Sequence, residues 1–91
     1  METSFKQIEQ WLKEGKTAEA EQEVDALLAG QKGSAGLYCL KGRIRMKHSD
    51  WQGAITAFLH AEELEPDSPA HESRLMVEKI LQFYHKDLYN P

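Results

Sequence analysis

The chain has 91 residues, 11 basic and 15 acidic side chains, a net charge of −4 and a hydrophobic share of 41%. That composition describes one soluble globular domain; it argues against whole-chain disorder and against a nucleic-acid partner, which calls for a basic footprint. The lone cysteine, Cys39, excludes an internal disulfide and fits a reducing compartment.

The N-terminus carries no basic segment followed by an apolar run, and no stretch of about 18 apolar residues occurs. The expectation is a cytoplasmic protein with no membrane span.

Five helical stretches follow one another, and no strand pattern competes with them. The first, about Thr3 to Glu14, sets Phe5, Ile8, Trp11 and Leu12 on one stripe, and Gly15 ends it. The second, about Thr17 to Ala29, repeats Ala20, Val24, Leu27 and Leu28, with Thr17 as the expected N-cap. Gly30-Gln31-Lys32-Gly33 reads as a turn. The third, about Ser34 to His48, carries Leu37, Leu40 and Ile44, with Tyr38 beside them. The fourth runs from Trp51 to Glu65 and has the widest apolar face: Trp51, Ala54, Ile55, Phe58, Leu59, Ala61 and Leu64. Asp50 caps its start and Pro66 stops it. The fifth opens at Ser68-Pro69, serine as cap and proline at the first helical position, and continues with Leu75, Met76, Ile80 and Phe83. Phe83, Tyr84 and Tyr89 gather near the C-terminus. Either the tail folds back over the open edge of the core, the favoured reading, or these aromatics form a self-association surface.

Sliding the chain against itself by 34 residues aligns Glu14-Gly15-Lys16 with His48-Ser49-Asp50, Ala20 with Ala54, and Val24 with Phe58. Repeats of this length mark helical arrays. Residues 35–68 resemble one complete tetratricopeptide repeat. Tyr38 and Gly42 stand at its first aromatic and small positions, and Asp50-Trp51 at its turn. Ala54, Phe58, Ala61 and Pro66 complete the signature. Lys41 and Arg45 replace the usual leucine and tyrosine, and Ser49 replaces the turn glycine. Residues 1–34 form a degenerate repeat, with Ile8 at the small position, and 69–91 a capping helix and tail with a polar outer face. The resemblance implies an all-α fold: a short right-handed superhelix of antiparallel helix pairs, about five helices, in one domain.

The residues offer no constellation for catalysis. His48, His60, His71 and His85 are scattered, which reads as solvated surface rather than a metal site. Cys39 has no histidine nearby in sequence, and the glycines of residues 30–36 lack the lysine of a phosphate loop. The protein is therefore expected not to be an enzyme and to hold no cofactor and no metal.

The basic residues of the third helix split into two i, i+4 pairs, Lys41 with Arg45 and Arg43 with Lys47. Each pair reads as either a solvated face or a binding site. The resemblance implies a shallow groove lined by the first helix of each pair. Its register places Phe5, Glu9, Leu12 and Lys13 there, then Cys39, Arg43, Met46 and Lys47, then Ser73, Val77, Ile80 and Leu81. The family's terminal-carboxylate clamp is matched only at Arg74 and is not expected. The leading expectation is an adaptor-like module that binds a protein or peptide, acidic in character, through this groove, with no nucleic acid and no membrane. The alternative is a structural domain that self-associates into a homo-oligomer through the ends of the array.

Overall fold

The computed structural model describes residues 2–30 and 34–89, with side chains over 5–30 and 34–83. Among the described residues there are five helices: α1 (Glu2–Lys13), α2 (Thr17–Gly30), α3 (Ala35–Lys47), α4 (Trp51–Leu64) and α5 (Ala70–Tyr89). No strand occurs among them. Each helix packs on its neighbours in sequence, most extensively α3 on α4 and α4 on α5. The result is a row of helices rather than a ball, 48 × 29 × 19 Å.

The 34-residue recurrence is written into the backbone. At the end of α1, Gly15 N–H donates to Leu12 O and Lys16 N–H donates to Trp11 O, with Gly15 at φ 81°. At the end of α3, Ser49 N–H donates to Met46 O and Asp50 N–H to Arg45 O, with Ser49 at φ 61°. Both turns satisfy the last free carbonyls of a helix by the same pair of bonds around a left-handed residue. In each case the next residue already accepts from the following helix: Ala20 N–H on Lys16 O, Ala54 N–H on Asp50 O. Turns this short force α1 and α2, and likewise α3 and α4, to run antiparallel.

These bonds correct two expected caps. The cap position of α2 is Lys16, and Thr17 is already helical. Only Asp50 fills the equivalent place with a capping side chain, which accepts from Gly53 N–H at 3.0 Å. At α5, Ser73 N–H bonds Pro69 O, so proline occupies the cap position. Ser68 N–H turns back to Glu65 O at 3.0 Å, and the Ser68 hydroxyl is buried without a hydrogen-bond partner. Ser34 does cap α3, accepting from Leu37 N–H at 3.3 Å. Glu65, held extended ahead of Pro66, ends α4.

The core divides into two clusters that share α3. Ile8, Leu12, Ala20, Val24, Leu40 and Ile44 join α1, α2 and α3. Ala35, Ala54, Phe58, Ala61, Ala70 and Val77 join α3, α4 and α5. Gly42 sets the closeness of α3 and α4: a Cβ there would lie 2.5 Å from Phe58 Cε1 and 2.6 Å from Phe58 Cζ. Small residues at crossing points are what let helices approach to about 8–10 Å. The α1 side is closed similarly, with the Phe5 ring against Gly36.

The helical junctions use opposite chemistry at equivalent positions. Between α2 and α3, Leu28 packs on the cluster containing Leu40. Beside it Lys41 Nζ pairs with Glu21 at 3.1 Å and Asp25 at 2.7 Å, and Arg45 Nη1 with Glu21 at 2.7 Å. Thirty-four residues on, Leu28 and Leu40 become Glu62 and Arg74, which form an ion pair between α4 and α5. Glu21, Asp25 and Lys41 become Ile55, Leu59 and Leu75.

Two expectations about the last helix are revised. Its backbone stays helical to Tyr89, so the chain does not reverse before that residue; the side chains of Tyr84 and Tyr89 lie outside the described residues, as do Asn90 and Pro91 and Gln31, Lys32 and Gly33 of the expected turn. The outer face of α5 is not wholly polar: Leu75, Met76 and Phe83 are all exposed.

Candidate functional site

The side of the row formed by α1 and α3 carries the residues singled out from sequence. Glu9 and Arg43, separated by one 34-residue step, meet there: Arg43 Nη1 donates to Glu9 Oε2 at 3.3 Å. Both side chains are about half exposed, so this pair is a weak, solvated one. Next to it, Arg43, Met46, Lys47 and Trp51 line an open depression of about 370 Å³. Arg43, Met46 and Lys47 share a face of α3 by their i, i+3, i+4 spacing. Trp51 closes the far wall, because the tight turn at Ser49 and Asp50 brings the first residue of α4 beside the last turn of α3. Lys47 has no ion-pair partner among the described residues, which leaves it the most available cation of the depression.

The other predicted groove residues are distributed differently. Leu12 is 2% exposed and Val77 0%, so both belong to the core and neither can meet a ligand. Phe5 is half-buried against the first cluster. Cys39 packs with Tyr38 and Met46 on the second cluster. Burial pushes its thiol above the ordinary value and Glu65 adds to this, against a smaller pull from Arg43. Such a thiol is a poor nucleophile. Lys13 is exposed, and Ser73 and Ile80 are half-buried on α5. Leu81 is also half-buried there.

The two basic pairs of α3 turn out to have separate fates. Arg43 and Lys47 face the depression just described. Lys41 and Arg45 line a second one, about 290 Å³, with Leu28, Tyr38 and His60. There they are committed to Glu21 and Asp25, with Arg45 Nε also 3.2 Å from Asp50 Oδ2. Burial alone lowers the Lys41 pKa, but its bonds to Asp25 and Glu21 outweigh that and leave it raised. This pair is a structural clasp that neutralises the acidic α2. The presence of lysine and arginine at these sites is thereby explained, because their counterparts across the junction are acids.

Arg74 is likewise spent. It bonds Glu62 on α4 and Glu78 one turn ahead at 2.6 Å, and His71 joins Glu62 at 3.0 Å. The Arg74 and His71 bonds hold the Glu62 carboxyl below the usual carboxylate range. Among the described residues no three His, Cys, Asp or Glu side chains converge as a metal site. No described helix is long and apolar enough to cross a membrane.

Sequence reasoning missed Trp51 as a wall of the depression. Its spacing marked it only as part of the apolar face of the fourth helix, whereas it is half-buried and lines the depression together with Met46.

The fold and this surface define a small all-helical protein of consecutively packed helices with an open, cation-bearing depression beside α3. The chain belongs to the same family as Bacteroides fragilis protein BF1650, whose solution NMR structure it matches with a TM-score of 0.83 at 39% sequence identity. The match covers 94% of this chain and 88% of that one. No family model and no curated protein matches the chain.

Proposed function

We propose that the protein is a non-enzymatic, cytoplasmic protein-binding module of the tetratricopeptide-repeat type, which receives an acidic peptide on the α1–α3 face. The observation that carries this reading is the depression lined by Arg43, Met46, Lys47 and Trp51. It offers an apolar floor and wall for one anchoring side chain, with cations beside them for a carboxylate. That combination is how peptide sites usually divide affinity from orientation. The recurrence of both helix-ending turns at a 34-residue step supports the repeat assignment.

Lys47 is the principal anion contact. Arg43 contributes only by exchanging Glu9 for the ligand's carboxylate, so Glu9 acts as an internal competitor. The depression is shallow and open, and an affinity near micromolar, about −8 kcal/mol, is expected. Calorimetric titration of acidic and basic peptides, each carrying one leucine or aromatic residue, tests this. Acidic peptides should bind and basic ones should not. Lys47→Glu, which replaces an attraction by a repulsion, should weaken binding about tenfold without changing the fold. Equal binding of both peptide classes, or indifference to Lys47→Glu, removes the proposal.

A further inference from the structure

The outward face of α5 repeats Glu72, Leu75, Met76, Lys79 and Phe83 at i, i+3, i+4, i+7 and i+11, which is a single stripe along a helix. All five are exposed, Met76 by 48% and Phe83 by 71%. The 34-residue register shows what this side of the helix is for. Met76 stands where α3 has Gly42 and α1 has Ile8. In those helices the position is buried: Gly42 under the Phe58 ring of α4, Ile8 in the cluster with Ala20 and Val24 of α2. In α5 that face bears large apolar side chains and is open to solvent among the described residues.

The stripe is also self-complementary. A two-fold axis crossing α5 between Leu75 and Met76 brings a second α5 alongside in antiparallel sense. Each Glu72 then lies opposite Lys79 of the other copy, twice, around a centre of two Leu75 and two Met76 side chains. Neither Glu72 nor Lys79 has an ion-pair partner among the described residues. A surface that matches itself under a two-fold rotation is the requirement for a closed dimer. We propose that the protein forms a homodimer through α5, with the Glu72–Lys79 pairs fixing the antiparallel register. The second copy supplies for α5 the covering helix that α2 supplies for α1 and α4 for α3. This face is distinct from the Arg43–Lys47 depression, so dimerisation and peptide binding fail or succeed independently.

The test is sedimentation equilibrium of the wild type, Glu72→Lys, Lys79→Glu and the double exchange, from about 10 µM to about 1 mM, the range suited to a small interface. All three variants change exposed residues, and circular dichroism checks that each keeps its helix content. Wild type should pass from the mass of one chain, 10.4 kDa, toward twice that as concentration rises. Each single variant sets like charges opposite one another at two places and should weaken the dimer at least about tenfold. The double exchange restores opposite charges and should recover dimerisation to near the wild-type level. A wild type that stays monomeric throughout, single variants that dimerise as wild type does, or a double exchange as weak as the singles would each overturn the proposal.

Discussion

Replacing Gly42 by alanine sets two effects of opposite sign against each other. In the interior of a helix, alanine is favoured over glycine by about 0.8–1 kcal/mol. Against this, the new Cβ would lie 2.5, 2.6 and 2.8 Å from three atoms of the Phe58 ring. Phe58 is 1% exposed and sits within a cluster of alanines and Val77, so the ring has little room to move. Either the ring leaves its rotamer or α3 and α4 separate by most of an ångström. With all three contacts under 3.0 Å, the cost falls in the upper part of the overpacking range, about 2–3 kcal/mol, from which the propensity gain is subtracted. The net expectation is a loss of about 1–2 kcal/mol, or roughly 4–15 °C in Tm for a domain this small. Urea denaturation followed by far-UV circular dichroism measures it. Phe58→Leu relieves the clash, so Gly42→Ala should cost much less in that background, with a coupling of about 1–2 kcal/mol. Gly30→Ala serves as the control, because a Cβ there meets nothing within 4 Å. A Gly42→Ala protein as stable as wild type, or strict additivity with Phe58→Leu, would refute the view that this contact sets the helix spacing.

Three other outcomes are expected. Ser49 holds a left-handed backbone at φ 61° where Gly15 does the same work one repeat earlier; Ser49→Gly should therefore raise stability by about 0.5–1 kcal/mol in thermal denaturation. Glu9→Gln frees Arg43 from its 3.3 Å partner, and acidic peptides should bind a few-fold more tightly by calorimetry, while basic peptides gain nothing. Because Glu62 titrates lower in the folded chain than its ordinary value of about 4.3, the unfolded chain binds more protons between the two values. Its contribution is present above about pH 4.3 and fades as pH falls through the folded value. Tm of the wild type should accordingly fall more steeply with acid in that window than Tm of Glu62→Gln.

The helices were legible because their apolar stripes are strong and their breaks are chemically marked. Gly15, Pro66 and the Asp50 cap each act within a few residues of chain; the structure ends α1 before Gly15 and α4 before Pro66, and starts α4 after Asp50. The recurrence of the two helix-ending turns 34 residues apart was legible from the same local signals at a fixed step. Thr17 and Ser68 misled because a good capping side chain was assumed to sit at the cap. The six-residue turn closed by Lys16 on Trp11 left no room for Thr17 to do so, and Ser68 was taken up by the turn after Glu65. The groove residues were partly misassigned for a different reason. Helical register says which residues share a face; which neighbour covers that face is decided by packing, and Leu12 and Val77 are covered. The pairing of Arg43 with Glu9, and of Lys41 with Glu21 and Asp25, spans between 16 and 34 residues, so no local pattern announces it.

The most direct test of the account maps an acidic, leucine-bearing peptide onto isotopically labelled protein by NMR titration. Saturable shifts concentrated on Arg43, Met46, Lys47 and the Trp51 indole, reduced in Lys47→Glu, are the predicted result. Saturable shifts confined to other surfaces, or none at these four residues at about millimolar peptide, the weak end of specific binding, would contradict the assignment of this face as the binding site.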